Sequence, residues 1–167
     1  MWYNEWVFIS WGWSETLNKE GGIILKASYI EDPQTWASEF TFSVEVPVRF
    51  SETDMFGHVN NTVVFTYLEY ARIEYLNAIK LMNKEGNIPV VADLQCDYIR
   101  QMYFGEKITI YVKVAYVGNS SVDIHYLGKN EKGEIVFTAR GTIVQINVKT
   151  GKGVPFTNEE KQLLLGK

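Results

Sequence analysis

The chain is poor in the residues that build covalent or metal frameworks. It has one cysteine, Cys96, so neither an intramolecular disulfide nor a cysteine metal cluster can form. Its two histidines, His58 and His125, give metal binding little support. Basic excess is also absent: 16 Lys and Arg stand against 20 Asp and Glu, for a formal charge of −4. Proteins that coat nucleic acid rely on neutralising phosphate, so nucleic acid is not an expected partner. No apolar run approaches the ~18 residues of a membrane span. The start, Met1-Trp2-Tyr3-Asn4-Glu5, lacks the basic region of a secretory signal. No glycine-rich phosphate loop of the P-loop or dinucleotide type occurs. The expectation is a cytoplasmic protein without cofactor or metal.

What is present is an ordinary globular composition, 46% hydrophobic and 22% charged over 167 residues, enough for one domain with a substantial core. Tryptophan is unevenly placed: Trp2, Trp6, Trp11, Trp13 and Trp36 all precede residue 37. That shift puts a boundary near Phe40, dividing a Trp-rich extension (1–39) from a main domain (40–167). Residues 2–13 and 23–30, with Gly21-Gly22 between them, read as an extra hairpin. Buried Trp favours a role in covering an apolar surface or a neighbouring subunit.

From Phe40 the pattern is simpler. Phe42, Val44, Val46, Val48 and Phe50 alternate as a strand. A polar loop, 51–60, follows. Val64, Tyr67, Leu68, Ala71, Tyr75, Ala78, Ile79 and Met82 then recur at helical spacing, predicting a helix over about 62–83. Asn61 or Thr62 is its expected N-cap, and Gly86 with Pro89 its stop. Four alternating runs come next: Val90 to Tyr98, Ile108 to Tyr116, Val122 to Tyr126, and Val136 to Val148 with Thr138, Arg140, Thr142, Val144 and Ile146 on one face. Strand, helix, then four strands joined by short turns predicts an α+β domain, an antiparallel sheet wrapped on one long helix.

The loop Ser51 to Thr62 carries the chemistry. Helix N-termini present unpaired N–H groups and a positive dipole end, which suit an oxyanion. Asp54 stands just upstream, and Gly57 lets the chain turn back between the two. A thioester suits such a pair, because its thiol, with a pKa near ~8.5, leaves without strong acid help. A carboxylate and an oxyanion donor then suffice. Turn and capping residues alone would also explain an Asp-x-x-Gly loop.

The run Val48-Arg49-Phe50-Ser51-Glu52-Thr53-Asp54-Met55-Phe56-Gly57-His58-Val59-Asn60-Asn61, continued by Tyr67-Leu68-Glu69-Tyr70-Ala71-Arg72, resembles hotdog thioesterases of the 4-hydroxybenzoyl-CoA thioesterase type. Its His-Val-Asn-Asn ending is similar to a branch that also resembles acyl-carrier-protein thioesterases. Cys96 to Arg100, Phe104 to Glu106, and Gly118 to Ser121 extend the similarity over about 42–160. The resemblance implies a hotdog fold with five antiparallel strands around a central helix. It implies hydrolysis of an acyl-CoA or acyl-carrier-protein thioester. It also implies a homodimer with sites at the subunit interface, pairing into tetramers being left open. By the same resemblance Asp54 is the catalytic carboxylate and the Asn61 N–H the oxyanion donor, with His58 and Asn60 near the thioester. Gly57, Val64, Tyr67, Arg100 and Ser120 are the expected substrate-binding positions.

Competing readings are weaker. Glu69 lies on the helix, where another hotdog branch carries its carboxylate, but the Asp loop is intact. A hydratase dyad of Asp54 and His58 lacks the Asn-Pro of that pattern. A non-catalytic acyl-ligand binder would have no need of the carboxylate loop. Arg72 and Glu74 read as ion-paired or solvated, and Cys96 as an inert buried thiol.

Overall fold

The computed structural model describes residues 27–82 and 86–166. The hairpin expected over 2–13 and 23–30 therefore lies, apart from 27–30, outside the described residues. A short helix, α1 (Pro33–Ser38), precedes β1 (Phe42–Pro47), and a 3-10 turn (Phe50–Glu52) follows it. Then come the long helix α2 (Val63–Ala78), strands β2 (Asn87–Tyr98), β3 (Lys107–Val117), β4 (Ser121–Lys129) and β5 (Ile135–Asn147), and α3 (Asn158–Leu164). The strands form one antiparallel sheet in the order β1-β3-β4-β5-β2. This is the α+β hotdog arrangement, with the sheet curled around α2.

Helix α2 lays Val64, Tyr67, Leu68, Ala71 and Leu76 against Ile108, Ile110, Val112, Ile124, Tyr126 and Phe137 from the sheet's inner face. Each such apolar side chain contributes about 1.5–3 kcal/mol of transfer free energy when fully buried. Arg72 is buried among them and donates to the Tyr126 hydroxyl at 3.4 Å, so it is neither solvated nor merely superficial.

Two expectations need correcting. The helix stops at Ala78, not near Asn83. Lys80 takes φ +60°, its N–H bonds Asn77 O, and the Leu81 N–H bonds Leu76 O. That is a Schellman ending with lysine where glycine is usual, which hid the signal. At the other end the N-cap is Thr62, one of the two residues expected there, and its side chain makes no capping bond. Just ahead of it, Asn60 Oδ1 accepts from the Thr62 N–H at 2.9 Å and the Thr62 hydroxyl at 2.8 Å.

The second correction concerns strand faces. The register of β2 shifts between Val91 and Asp93, and that of β3 between Val114 and Tyr116. A bulge reverses the alternation beyond it. Val90 therefore leaves the face of Leu94 and Cys96, and Tyr116 pairs outward with Asp123 and is exposed. In β5 the inward set is Phe137, Ala139, Gly141 and Ile143, and the Thr138-Arg140-Thr142 set faces outward.

The outer face of the sheet is covered by residues 27–40. Ala27, Ile30 and Trp36 pack on Leu127, with Tyr29, Phe40 and Tyr111 at the margin. Trp36 donates through Nε1 to His125 Nδ1 at 2.9 Å. Lys113 bonds the Trp36 carbonyl and the Glu39 carboxylate. His125 thus lies buried beneath a tryptophan. Asp32 caps α1 with Pro33 at its first position, and Thr157 with Glu160 forms a capping box for α3. Both signals stand in the sequence and point to helices that the periodicity reading omitted.

Candidate active site

The site grows from the exit of β1. The Val48 N–H bonds Glu106 O at 2.9 Å, and the 3-10 turn then redirects the chain. Residues 53–59 fold into a small hairpin. Thr53 bridges Val59, the Asp54 N–H bonds His58 O, and the Gly57 N–H bonds Asp54 O. Gly57 sits at φ +85°, a conformation that side-chain-bearing residues adopt only with strain. The hairpin is joined to the chain leaving β2, with the Val59 N–H on Met102 O at 2.8 Å and His58 bridging Tyr103.

Asp54 Oδ1 accepts from the Phe56 N–H at 2.8 Å, and its Oδ2 lies 3.4 Å from His58 Nδ1. Both side chains are about a quarter exposed, at 25% and 26%. Beyond them the Asn60 N–H bonds Glu52 O, and α2 begins. Between the hairpin, the start of α2 and the end of β2 opens a cavity of about 280 Å³. Asp54, His58, Val59, Asn61, Tyr98, Ile99, Arg100, Gln101 and Met102 line it.

The structure thus brings together Asp54, His58, Asn61 and Arg100. Asn60 stands beside them with its amide oxygen committed to the Thr62 N–H and hydroxyl. Arg100 Nη1 donates to Ile135 O at 2.8 Å, and its Nε lies 3.9 Å from Glu134, so much of the guanidinium braces the β4–β5 turn. Gly57 shapes the loop without lining the cavity. Val64 and Tyr67 are buried in the core, at 0% and 2% exposure, and do not reach it. Ser120 lies at the opposite end of the sheet, where its carbonyl holds the Gln145 N–H. Glu69 is exposed on α2, outside the cavity lining.

Two residues gain parts that the sequence reading did not assign. Glu52 Oε2 accepts from both the Arg49 N–H and the Tyr67 hydroxyl, joining the loop to α2. Tyr98 closes one wall and bonds the Asn61 carbonyl. Its place on the alternating face with Cys96 was the available signal. Burial pushes the Cys96 thiol up to about 12, which keeps it protonated and inert at neutral pH. Among the described residues, no group of three or more His, Cys, Asp or Glu is arranged to hold a metal ion. Nor is any described helix long and apolar enough to cross a membrane.

Comparison with known proteins bears on the family and the fold. Residues 48–164 match the model of the thioesterase-like superfamily. The uncharacterized protein YsmA of Bacillus subtilis is 47% identical over 140 residues, 83% of this chain and 95% of its own. The chloroplastic acyl-acyl carrier protein thioesterase ATL3 of Arabidopsis thaliana is 29% identical over 119 residues, 67% of this chain and 61% of its own. Among solved structures, a thioesterase from Thermus thermophilus complexed with coenzyme A and zinc superposes with a TM-score of 0.67 at 30% identity. That superposition covers 76% of this chain and 94% of the Thermus chain.

Proposed function

Because the chain belongs to the thioesterase-like superfamily and is a thioester hydrolase, we propose that it cleaves acyl-CoA, with Asp54 as its carboxylate and the Asn61 N–H as its oxyanion donor. The observation that carries this reading is the placement of Asp54 and Asn61 on one cavity at the N-terminus of α2. The thioester carbonyl would sit between them. As its carbon becomes tetrahedral, negative charge gathers on the oxygen, where the Asn61 N–H and the helix dipole stabilise it. Collapse expels the coenzyme A thiolate. Asp54 either attacks the carbonyl or takes a proton from the attacking water, and a rapid-quench search for a covalent acyl-enzyme separates the two routes. His58 stands against Asp54 to orient it or the water.

Thiol release from short, long and aromatic acyl-CoAs tests the reading, with Asp54→Asn as the comparison. A loss of at least about 100-fold in the variant is expected for removal of a carboxylate with this task. Unchanged turnover would reject Asp54 and direct attention to Glu69. The relationship to ATL3 favours an acyl-carrier-protein substrate as the second reading, and acyl-carrier substrates in the same panel decide between them.

The proposal includes a homodimer. Among the described residues, strand β2 is an edge strand, paired only with β5, and it exposes Ile88, Val91 and Tyr98. Open apolar edges of this kind favour a partner strand. Light scattering that returns a monomer mass under assay conditions would reject this part.

A further inference from the structure

Tyr98 ends β2 and lines the same cavity as Asp54 and Asn61. Its hydroxyl donates to the Asn61 carbonyl at 2.5 Å, tying the edge strand to the start of α2. On the other side of Asn61, the Asn60 N–H holds Glu52 O, and the Asn60 side chain holds Thr62. Asn61 is therefore gripped before and after its own N–H. Among the described residues no acceptor takes that N–H. Asn61 stands one residue before Thr62, the N-cap of α2, so the helix itself supplies no acceptor for it. An N–H whose two neighbours are fixed also has a fixed direction. Direction is what an oxyanion donor contributes, since it works by being aimed before charge develops. Partial desolvation, with the Cys96 thiol beside it, raises the Tyr98 phenol to about 12, so it stays a donor throughout the working range.

We propose that Tyr98 is a positioning residue for thioester cleavage, holding the Asn61 carbonyl so that the Asn61 N–H points at the thioester oxygen. This rests on the reading of Asp54 and Asn61 given above.

The test compares wild type, Tyr98→Phe and Asp54→Asn on the fastest acyl-CoA of the panel, with the thioether analogue of that substrate as a binding probe. In Tyr98→Phe, kcat is expected to fall about tenfold, on the scale of one lost hydrogen bond. KM, the Kd of the thioether and Tm should stay near wild type. A proline at position 61, one residue before the N-cap Thr62, deletes the N–H without removing any hydrogen bond of α2. In the Asn61→Pro background, adding Tyr98→Phe should therefore cost no further activity. Independent, multiplying losses in that double variant would overturn the proposal. So would wild-type kcat in Tyr98→Phe beside an inactive Asp54→Asn, or a rise in KM and Kd with kcat kept. An Asp54→Asn enzyme with wild-type kcat would instead overturn the carboxylate reading, and this proposal with it.

Discussion

The Tyr67 hydroxyl donates to Glu52 Oε2 at 2.7 Å, joining the buried face of α2 to the turn that leads into Asp54. Burial, then the carboxylate beside it, raises the Tyr67 phenol well above its ordinary pKa, so it remains a donor. Tyr67→Phe would remove that donor and leave the carboxylate with the Arg49 N–H. A stability loss of about 1–3 kcal/mol is expected in urea unfolding, the scale of a hydrogen bond to a charged group. Because Glu52 O also holds the Asn60 N–H, kcat should fall as well. A variant with unchanged unfolding midpoint and unchanged turnover would show that the brace is redundant.

His125 predicts a pH dependence of stability. Its Nδ1 accepts from Trp36, which requires the neutral ring. Burial lowers its pKa, opposed by Asp123 and assisted by Lys113 and Arg140. With the folded value below the unfolded 6.5, the unfolded chain takes up a proton that the native chain refuses. The stabilisation is therefore complete above the unfolded value and declines as pH falls through it. Urea midpoints should drop between about pH 7.5 and pH 5, and His125→Gln should shrink that drop. An equal drop in both proteins would assign the pH dependence to other groups.

Lys80→Gly should stabilise the protein. Lys80 holds φ +60° at the end of α2, where glycine relieves the crowding of a side chain. The gain is about 0.5–1 kcal/mol, reduced by the greater freedom of glycine in the unfolded chain. Thermal unfolding checks the sign, and a lowered Tm would contradict the Schellman assignment.

Gly128→Ala should do the reverse. A Cβ at Gly128 would lie 2.4 Å from Cε1 of Phe137, whose ring packs fully buried across the strand pair. The ring must shift inside a filled core, a cost of about 1–3 kcal/mol. A Tm equal to wild type would mean that the core yields more easily than its packing implies.

The sequence by itself determined the order of the main elements, the inward face of α2 and the loop holding Asp54. Each rests on local chemistry. Apolar spacing marks a helix face, a Gly-containing polar stretch marks the turn, and Asp54 lies only seven positions before Asn61, so one loop carries both. Tertiary structure decided the rest. The bulges in β2 and β3 reverse which side chains face inward, and simple alternation carries no record of them. The end of α2 depends on Lys80 adopting a conformation that its residue type disfavours, sustained by Leu76 and Leu81 packing into the core. Tyr98 meets Asn61 across 37 positions, where the end of β2 reaches the start of α2, and Trp36 meets His125 across 89, where α1 packs on the outer face of the sheet. Val64 and Tyr67 carry the right spacing for a binding face but point to the core, because a helix wrapped by a sheet must bury that stripe.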